Sequence, residues 1–274
     1  MRRRPFLAGT LAATVLPSSR ALARAAGDAS SAGTPAPAYG AAIDDLVAAN
    51  HILAHLGVVD GFGHVSVRDP RDPARYLLAR SMAPALVTAS DVVTYDLANE
   101  ALDANGRTSY LERFIHGAIY RLRPDVRSVV HSHAPDVIPF ADSSVSLRPV
   151  YHMASFLGRG VPVFEIRDAA GPASDMLVSS NALGDALART LGGANVALMR
   201  GHGMVAVGER IPEAVFRAYY TMMDARLQAQ AIGLGGRVTY LNAAEADAST
   251  ATNRNVLMRA WELWKRDYGG IDAR

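Results

Sequence analysis

The chain contains no cysteine. Disulfides, thiolate-held metals and cysteine nucleophiles are therefore excluded, and any metal must be held by His, Asp or Glu. Lysine is almost absent: of 28 basic residues, Lys265 is the only one that is not arginine. Arginines and acidic residues are interspersed, and the formal net charge is only +2. No basic patch marks a nucleic-acid footprint. The apolar runs are too short to anchor the chain in a bilayer, and no internal repeat is visible. The 274 residues, half of them hydrophobic and a fifth charged, read as a soluble globular chain with ample core.

What is present begins at the N-terminus. Arg2-Arg3-Arg4-Pro5-Phe6-Leu7 is followed by an apolar segment to Leu16 and by Ala21-Leu22-Ala23, small residues spaced for signal peptidase. A basic start, an apolar segment and such a site describe a secretory signal. The Arg-Arg-x-Phe-Leu order resembles a twin-arginine signal, which exports folded proteins, so the expected location is periplasmic. Residues 1–25 are read as this signal, 26–37 as a flexible Ala/Ser/Gly/Pro linker, and 38–274 as a single catalytic domain.

From Ala38 onward, strands and helices mix without a regular βαβ rhythm. Helices are expected at 38–56, 110–122, 181–191, from 212 past 227, and at 253–265. Strands are expected around 64–68, 76–79, 92–97, 126–133, 161–166 and 196–208, the last interrupted by Arg200-Gly201-His202-Gly203. Several strands follow one another directly. The expected fold class is α/β of an α+β kind, a mostly antiparallel sheet with helices on both faces.

His131-Ser132-His133 stands behind an apolar run at a strand end. Side chains two apart on a strand share a face, so the two imidazoles can converge on one metal ion. A plain polar pair at a strand end fits equally well. His202, between two glycines, suggests a bulge that re-aims its side chain. Glu112 lies four residues before His116 on the expected helix, so the two share a face. His51 and His55 are also four apart, but without the Glu of a His-Glu-x-x-His motif they read as an ordinary helix face. Spacing alone does not bring residues 112, 131, 133 and 202 together.

Four ordered blocks carry a resemblance over roughly Ala38 to Lys265: Gly63-x-x-Ser66-Val67-Arg68; the run Glu112 to Tyr120; Arg123-Pro124-Asp125-Val126 leading into Val130-His131-Ser132-His133; and Arg200-Gly201-His202-Gly203. The chain resembles the class II aldolase and adducin family, which includes fuculose-phosphate aldolase and ribulose-phosphate epimerase. The resemblance implies a three-layer α/β/α sandwich around a mostly antiparallel sheet. It also implies one divalent metal per subunit, typically zinc with manganese or iron as alternatives, held by His131, His133 and His202. Glu112 is implied as a ligand of the empty site that turns base when substrate binds. A homotetramer with active sites between subunits is implied as well.

Three regions depart from the sugar-phosphate members: Gly63-His64 replaces Gly-Asn, Arg80-Ser81-Met82-Ala83 replaces a Ser-Gly phosphate loop, and Tyr110-Leu111 replaces Ser-Ser. These changes argue for a larger or flatter, non-phosphorylated substrate. His64, Ser66, Arg80 and Ser81 are the candidate substrate-binding residues, with Arg80 suited to hold a carboxylate or, equally, to make a surface ion pair. Tyr151 and His152 stand at or beside the family's proton-donor tyrosine and are candidate catalytic residues with Glu112. Branches with Gly-His look like decarboxylases of hydroxylated aromatic acids. The leading expectation is a metal-dependent carbon–carbon lyase, by retro-aldol cleavage or decarboxylation, on a small hydroxy- or oxo-carboxylate. A sugar-phosphate aldolase or epimerase, a non-catalytic adducin-like binding module and a metal-dependent oxygenase are the alternatives.

Overall fold

A computed structural model of the chain describes residues 36–270. The expected signal, and all but the last two residues of the expected linker, lie outside them. Seven strands form one sheet: β1 (His64–Arg68), β2 (Arg75–Ala79), β3 (Val92–Asp96), β4 (Ser128–Ser132), β5 (Val163–Phe164), β6 (Val196–Met199) and β7 (Gly203–Gly208). Their order is β3-β2-β1-β4-β7-β6-β5. All neighbours are antiparallel except β5 and β6. Pro162 precedes the two-residue edge strand β5, a place where its missing N–H costs no ladder bond. The helices are α1 (Ala36–His55), α2 (Phe114–Leu122), α3 (Ile138–Ala141), α4 (Arg167–Ala170), α5 (Asn181–Leu191), α6 (Ile211–Gly233) and α7 (Ala243–Tyr268).

Alternation along the strands divides the interior in two. Val65, Val67, Leu77, Val130, Leu198, Met204 and Ala206 face α1, α6 and α7. Tyr76, Leu78, Val129, Ala197, Met199, Val205 and Val207 face α2 and α5. This is the expected three-layer α/β/α sandwich. His64, Ser66 and His131 share a parity with the second set, so they point at the α2 and α5 layer. Arg68, buried at the end of β1, ties that layer to the sheet: it donates to the carbonyls of Tyr120, Arg123, Val126 and Pro73.

Three expectations are corrected. The helix expected from Tyr110 begins only at Phe114. Residues 110–113 form a tight turn with i→i+3 bonds from Arg113, Ile115 and His116, because the Glu112 side chain is drawn inward (see below). The strand expected across 196–208 is a hairpin. Met199 pairs with Gly203, and Arg200, Gly201 and His202 form its turn, with Gly201 at φ +62°. The last helix starts at Ala243 rather than Asn253. Asn242 caps it reciprocally with Glu245, and its first turns are too Ala-rich and polar to show an apolar stripe.

Tyr151 and His152 enter a 3-10 segment (His152–Leu157) whose Ala154, Phe156 and Leu157 pack in the α1/α6/α7 layer. Buried Asp224 of α6 anchors its entry, with Oδ1 accepting the Val150 and Tyr151 N–H groups at 3.0 Å each. Burial pushes this carboxyl up to about 7 against those two hydrogen bonds. Between its ordinary value of 3.8 and about 7, the folded chain keeps a proton the unfolded chain has released. Stability therefore falls as pH rises through that window, by at most about 4 kcal/mol from this group. Asp224→Asn keeps a carbonyl oxygen for both N–H groups and should flatten the slope. The urea midpoint should then drop less between pH 4 and pH 8 than in the parent chain. An unchanged slope would refute the assignment.

Candidate metal centre

Four side chains from three segments converge on the α2 and α5 face. His131 is the penultimate residue of β4, His133 follows the end of that strand, His202 comes from the β6–β7 hairpin turn, and Glu112 comes from the turn before α2. The ligand atoms of all four lie within 4.8 Å of one another. His133 Nε2 is 3.1 Å from His131 Nε2 and 2.9 Å from His202 Nε2. Glu112 Oε2 is 3.4 Å from His131 Nε2, 3.9 Å from His133 Nε2 and 3.4 Å from His202 Nε2. In a tetrahedral site with bonds of about 2.0–2.1 Å, donor atoms lie roughly 3.3 Å apart. The observed separations bracket that value, so the donor set fits a divalent ion.

The outer edges of the ligands are fixed by backbone. His131 Nδ1 meets the Met204 carbonyl at 3.2 Å and His202 Nδ1 meets the Met176 carbonyl at 2.9 Å. A carbonyl can only accept, so each Nδ1 carries the proton and each Nε2 lone pair is free for a metal. Glu112 Oε1 accepts from the Val178 N–H at 2.9 Å, leaving Oε2 toward the histidines. Close backbone approach makes this possible: a Cβ on Gly203 would lie 2.0 Å from the Ser132 carbonyl oxygen.

Burial alone would raise the Glu112 carboxyl. The three imidazoles around its Oε2, His131 first, outweigh it and hold the group far below the usual carboxylate range. Burial lowers His131, and the attraction of Glu112 only partly offsets this. Burial also acts to lower His202, but the Glu112 carboxylate beside it raises it on balance. One anion beside three imidazoles suits a dication.

The cluster opens into a cavity of about 410 Å³ lined by Phe62, His64, Ser81, Met82, Tyr110, Leu111, His133 and Leu177, among others. No Arg or Lys lines it among the described residues. Phe62 and Leu111, 69% and 66% exposed, stand at its edge, and Phe62 stacks 6.3 Å from His133.

Of the expected substrate-binding residues, His64 and Ser81 line this cavity, while Arg80 and Ser66 do not. The Arg80 guanidinium is engaged by Asp91 at 2.7 Å, since the Thr88–Asp91 cap presents that carboxylate beside the strand end. Ser66 is buried under α2, bonded to His116 Nδ1 at 2.6 Å and to the Tyr120 hydroxyl at 2.7 Å. Tyr151 and His152 lie in the α1/α6/α7 layer, and within one chain they are not brought to the cavity. His51 bonds the Val87 carbonyl, and His55 stacks on Tyr268. The sequence reading missed Phe62, and it missed the role of His116, whose Nε2 lies 2.7 Å from His64 Nδ1. The only signal for His116 was its place within the Glu112 to Tyr120 run. Burial pushes the His116 imidazole down to about 3, so it is neutral.

Each of the three histidines supplies one of the donor atoms. His131→Ala and His202→Ala should each lower bound metal from about one ion per chain to under about a tenth, read by elemental analysis of purified protein. Stoichiometric metal in both variants would rule out this centre.

Residues 44–229 match the family described as Class II Aldolase and Adducin N-terminal domain. The chain is 36% identical over 246 residues to the decarboxylase tropJ of Talaromyces stipitatus, a match covering 81% of this chain and 92% of that one. It is 27% identical over 250 residues to 3,4-dihydroxyphthalate decarboxylase of Arthrobacter keyseri, covering 86% and 96%. Its fold superposes on L-fuculose 1-phosphate aldolase from Glaciozyma antarctica with a TM-score of 0.68 at 20% identity, over 84% of this chain and 90% of that one. The chain belongs to the class II aldolase and adducin family.

Proposed function

We propose that this lyase is a divalent-metal-dependent decarboxylase of a small, non-phosphorylated hydroxy-aromatic carboxylate. One observation carries the reading: the His131, His133, His202 and Glu112 cluster opens into an apolar-walled cavity with no cationic lining residue. Tyr110, Met82, Leu111 and Phe62 suit a flat ring. A phosphate dianion would meet no charge there, and burying it unpaired is costly. Two relatives named as decarboxylases support the same reaction class.

His131, His133 and His202 would hold the ion, with zinc the first choice. When bound, it supplies Lewis acidity toward vicinal oxygens of the substrate. The rest falls to the chain. Phe62 and Leu111 cover the ring and exclude water from it. His64 meets a substrate oxygen. Loss of CO₂ leaves an electron pair on the carbon that bore it, delocalised toward a neighbouring oxygen, and one proton must reach that carbon. Glu112, the one carboxylate among the described residues that line the cavity, would take that proton from a substrate hydroxyl as base and pass it to the carbon.

The same reading has the chain exported through the Arg2-Arg3 signal and assembled as a homotetramer. Purified metal-loaded protein should release CO₂ from ortho-hydroxylated benzoic acids, lose that activity to a chelator and regain it with added divalent ion. Fuculose 1-phosphate should not be cleaved. Sugar-phosphate cleavage without turnover of any aromatic acid would reverse the assignment. Export predicts a mature N-terminus after Ala23 or Ala25, and Arg2→Lys with Arg3→Lys should retain the full-length chain in the cytoplasm, both read by intact mass.

A further inference from the structure

A line of buried polar groups runs inward from the cavity: His64 Nδ1 to His116 Nε2 at 2.7 Å, His116 Nδ1 to Ser66 Oγ at 2.6 Å, Ser66 Oγ to the Tyr120 hydroxyl at 2.7 Å. All four residues are buried. With both imidazoles neutral and every gap bridged, His116 carries its proton either on Nε2, with the donors running outward, or on Nδ1. If the protons point from His64 inward, the Tyr120 hydrogen is left at the blind end. Among the described residues, Ser66 Oγ is its only side-chain hydrogen-bond partner. In that reversed arrangement Ser66 donates to Tyr120 and the buried phenol hydrogen has no acceptor; if Tyr120 donates to Ser66 instead, the Ser66 hydrogen has none. An unsatisfied buried hydroxyl is disfavoured by roughly ten- to hundredfold in population.

The satisfied arrangement runs outward. Tyr120 donates to Ser66, Ser66 donates to His116 Nδ1, and His116 Nε2–H donates to His64 Nδ1. His64 must then carry its own proton on Nε2. Its Nδ1 edge is turned inward, so Nε2 is the edge left for the cavity that His64 lines. There it stands beside the metal centre, because His64 pairs with His131 across β1 and β4 and their rings lie 5.1 Å apart.

We propose that Tyr120, Ser66 and His116 form a one-way hydrogen-bond chain that locks His64 as an Nε2–H donor to a substrate oxygen beside the metal. His64 is the catalytic residue of the set, and the other three are positioning residues. A donor locked in this way strengthens its bond as negative charge builds on an oxygen. It is not poised to accept a proton at Nε2, since that would require all four protons to shift. The role rests on the decarboxylase reading above, but the locked tautomer does not.

The test reads the tautomer in the resting protein without substrate. Zinc-loaded protein labelled with ¹⁵N-histidine is examined by two-bond ¹H–¹⁵N correlation, with His64 assigned by its loss in His64→Gln. The expected pattern has Nε2 protonated and Nδ1 bare. In Ser66→Ala no hydroxyl hydrogen needs the His116 Nδ1 acceptor, so the lock is gone and the Nδ1–H form should become comparably populated, whereas Tyr120→Phe leaves Ser66 to donate to His116 and should keep the parent pattern. An Nδ1–H pattern in the parent chain, or a pattern unmoved in Ser66→Ala, overturns the proposal. A rate comparison adds the donor role. The amide of His64→Gln can still donate and should keep kcat within about tenfold, whereas the acceptor of His64→Glu should cost at least about a hundredfold. Equal rates for the two overturn it. If no aromatic acid is turned over, the decarboxylase reading fails while the tautomer measurement still decides the lock.

Discussion

Everything in the α2 and α5 layer depends on three imidazoles meeting at their Nε2 atoms. Such a meeting is unstable unless something outside each ring settles which nitrogen carries the proton. For His131 and His202 that something is a backbone carbonyl, of Met204 in β7 and of Met176 in the segment before α5. The ladder between β4 and β7, which pairs His131 with Val205, therefore does more than hold two strands together. It places an acceptor against the outer edge of a ligand. Glu112 is served the same way by the Val178 amide. The outer edges of three of its ligands are thus held by main chain.

The ligands themselves were legible in the sequence, and their supports were not. Strand alternation puts His131 and His133 on one face and the glycines around His202 suggest a bulge, but only the family resemblance joined them with Glu112 as one site. The sheet, the two helical layers and most element positions follow from periodicity. What failed has a common cause, namely local pattern overridden by the site. Residues 110–113 read as helix because their apolar spacing continues that of α2, yet Glu112 is pulled into the cluster and the turn tightens ahead of Phe114. Val196 to Gly208 read as one interrupted strand because nothing in the run says that Gly201 reverses the chain. Backbone acceptors such as the Met176 carbonyl carry no side-chain signature and leave no mark in a sequence. Ser66, expected at the substrate, shares a face with His64, but α2 covers that face one step further in.

The neighbouring polar groups obey the same logic by other means. His64 and His116 have no carbonyl to settle their protons. They are settled by each other, by Ser66 and finally by a phenol whose hydrogen can go only one way. Desolvation keeps both imidazoles below their ordinary range, helped at His64 by His116 and His131 and at His116 by His131. A second positive charge beside the metal is thereby avoided. The site thus separates its charges, with one anion in the ligand set and uncharged donors around it.

That separation bears on what fits. The polar end of the cavity is confined to the metal cluster, His64 and Ser81, while Phe62, Met82, Leu111 and Leu177 make the rest. A molecule with all its oxygens at one end and a ring at the other buries its apolar surface and leaves no charge unpaired. A sugar phosphate carries its dianion several bonds from the oxygens that would chelate, so one end must lie against the apolar wall. The Arg80 guanidinium that might have met it is already bound to Asp91. Selectivity in this chain follows from where the cations are not, as much as from where the metal ligands are.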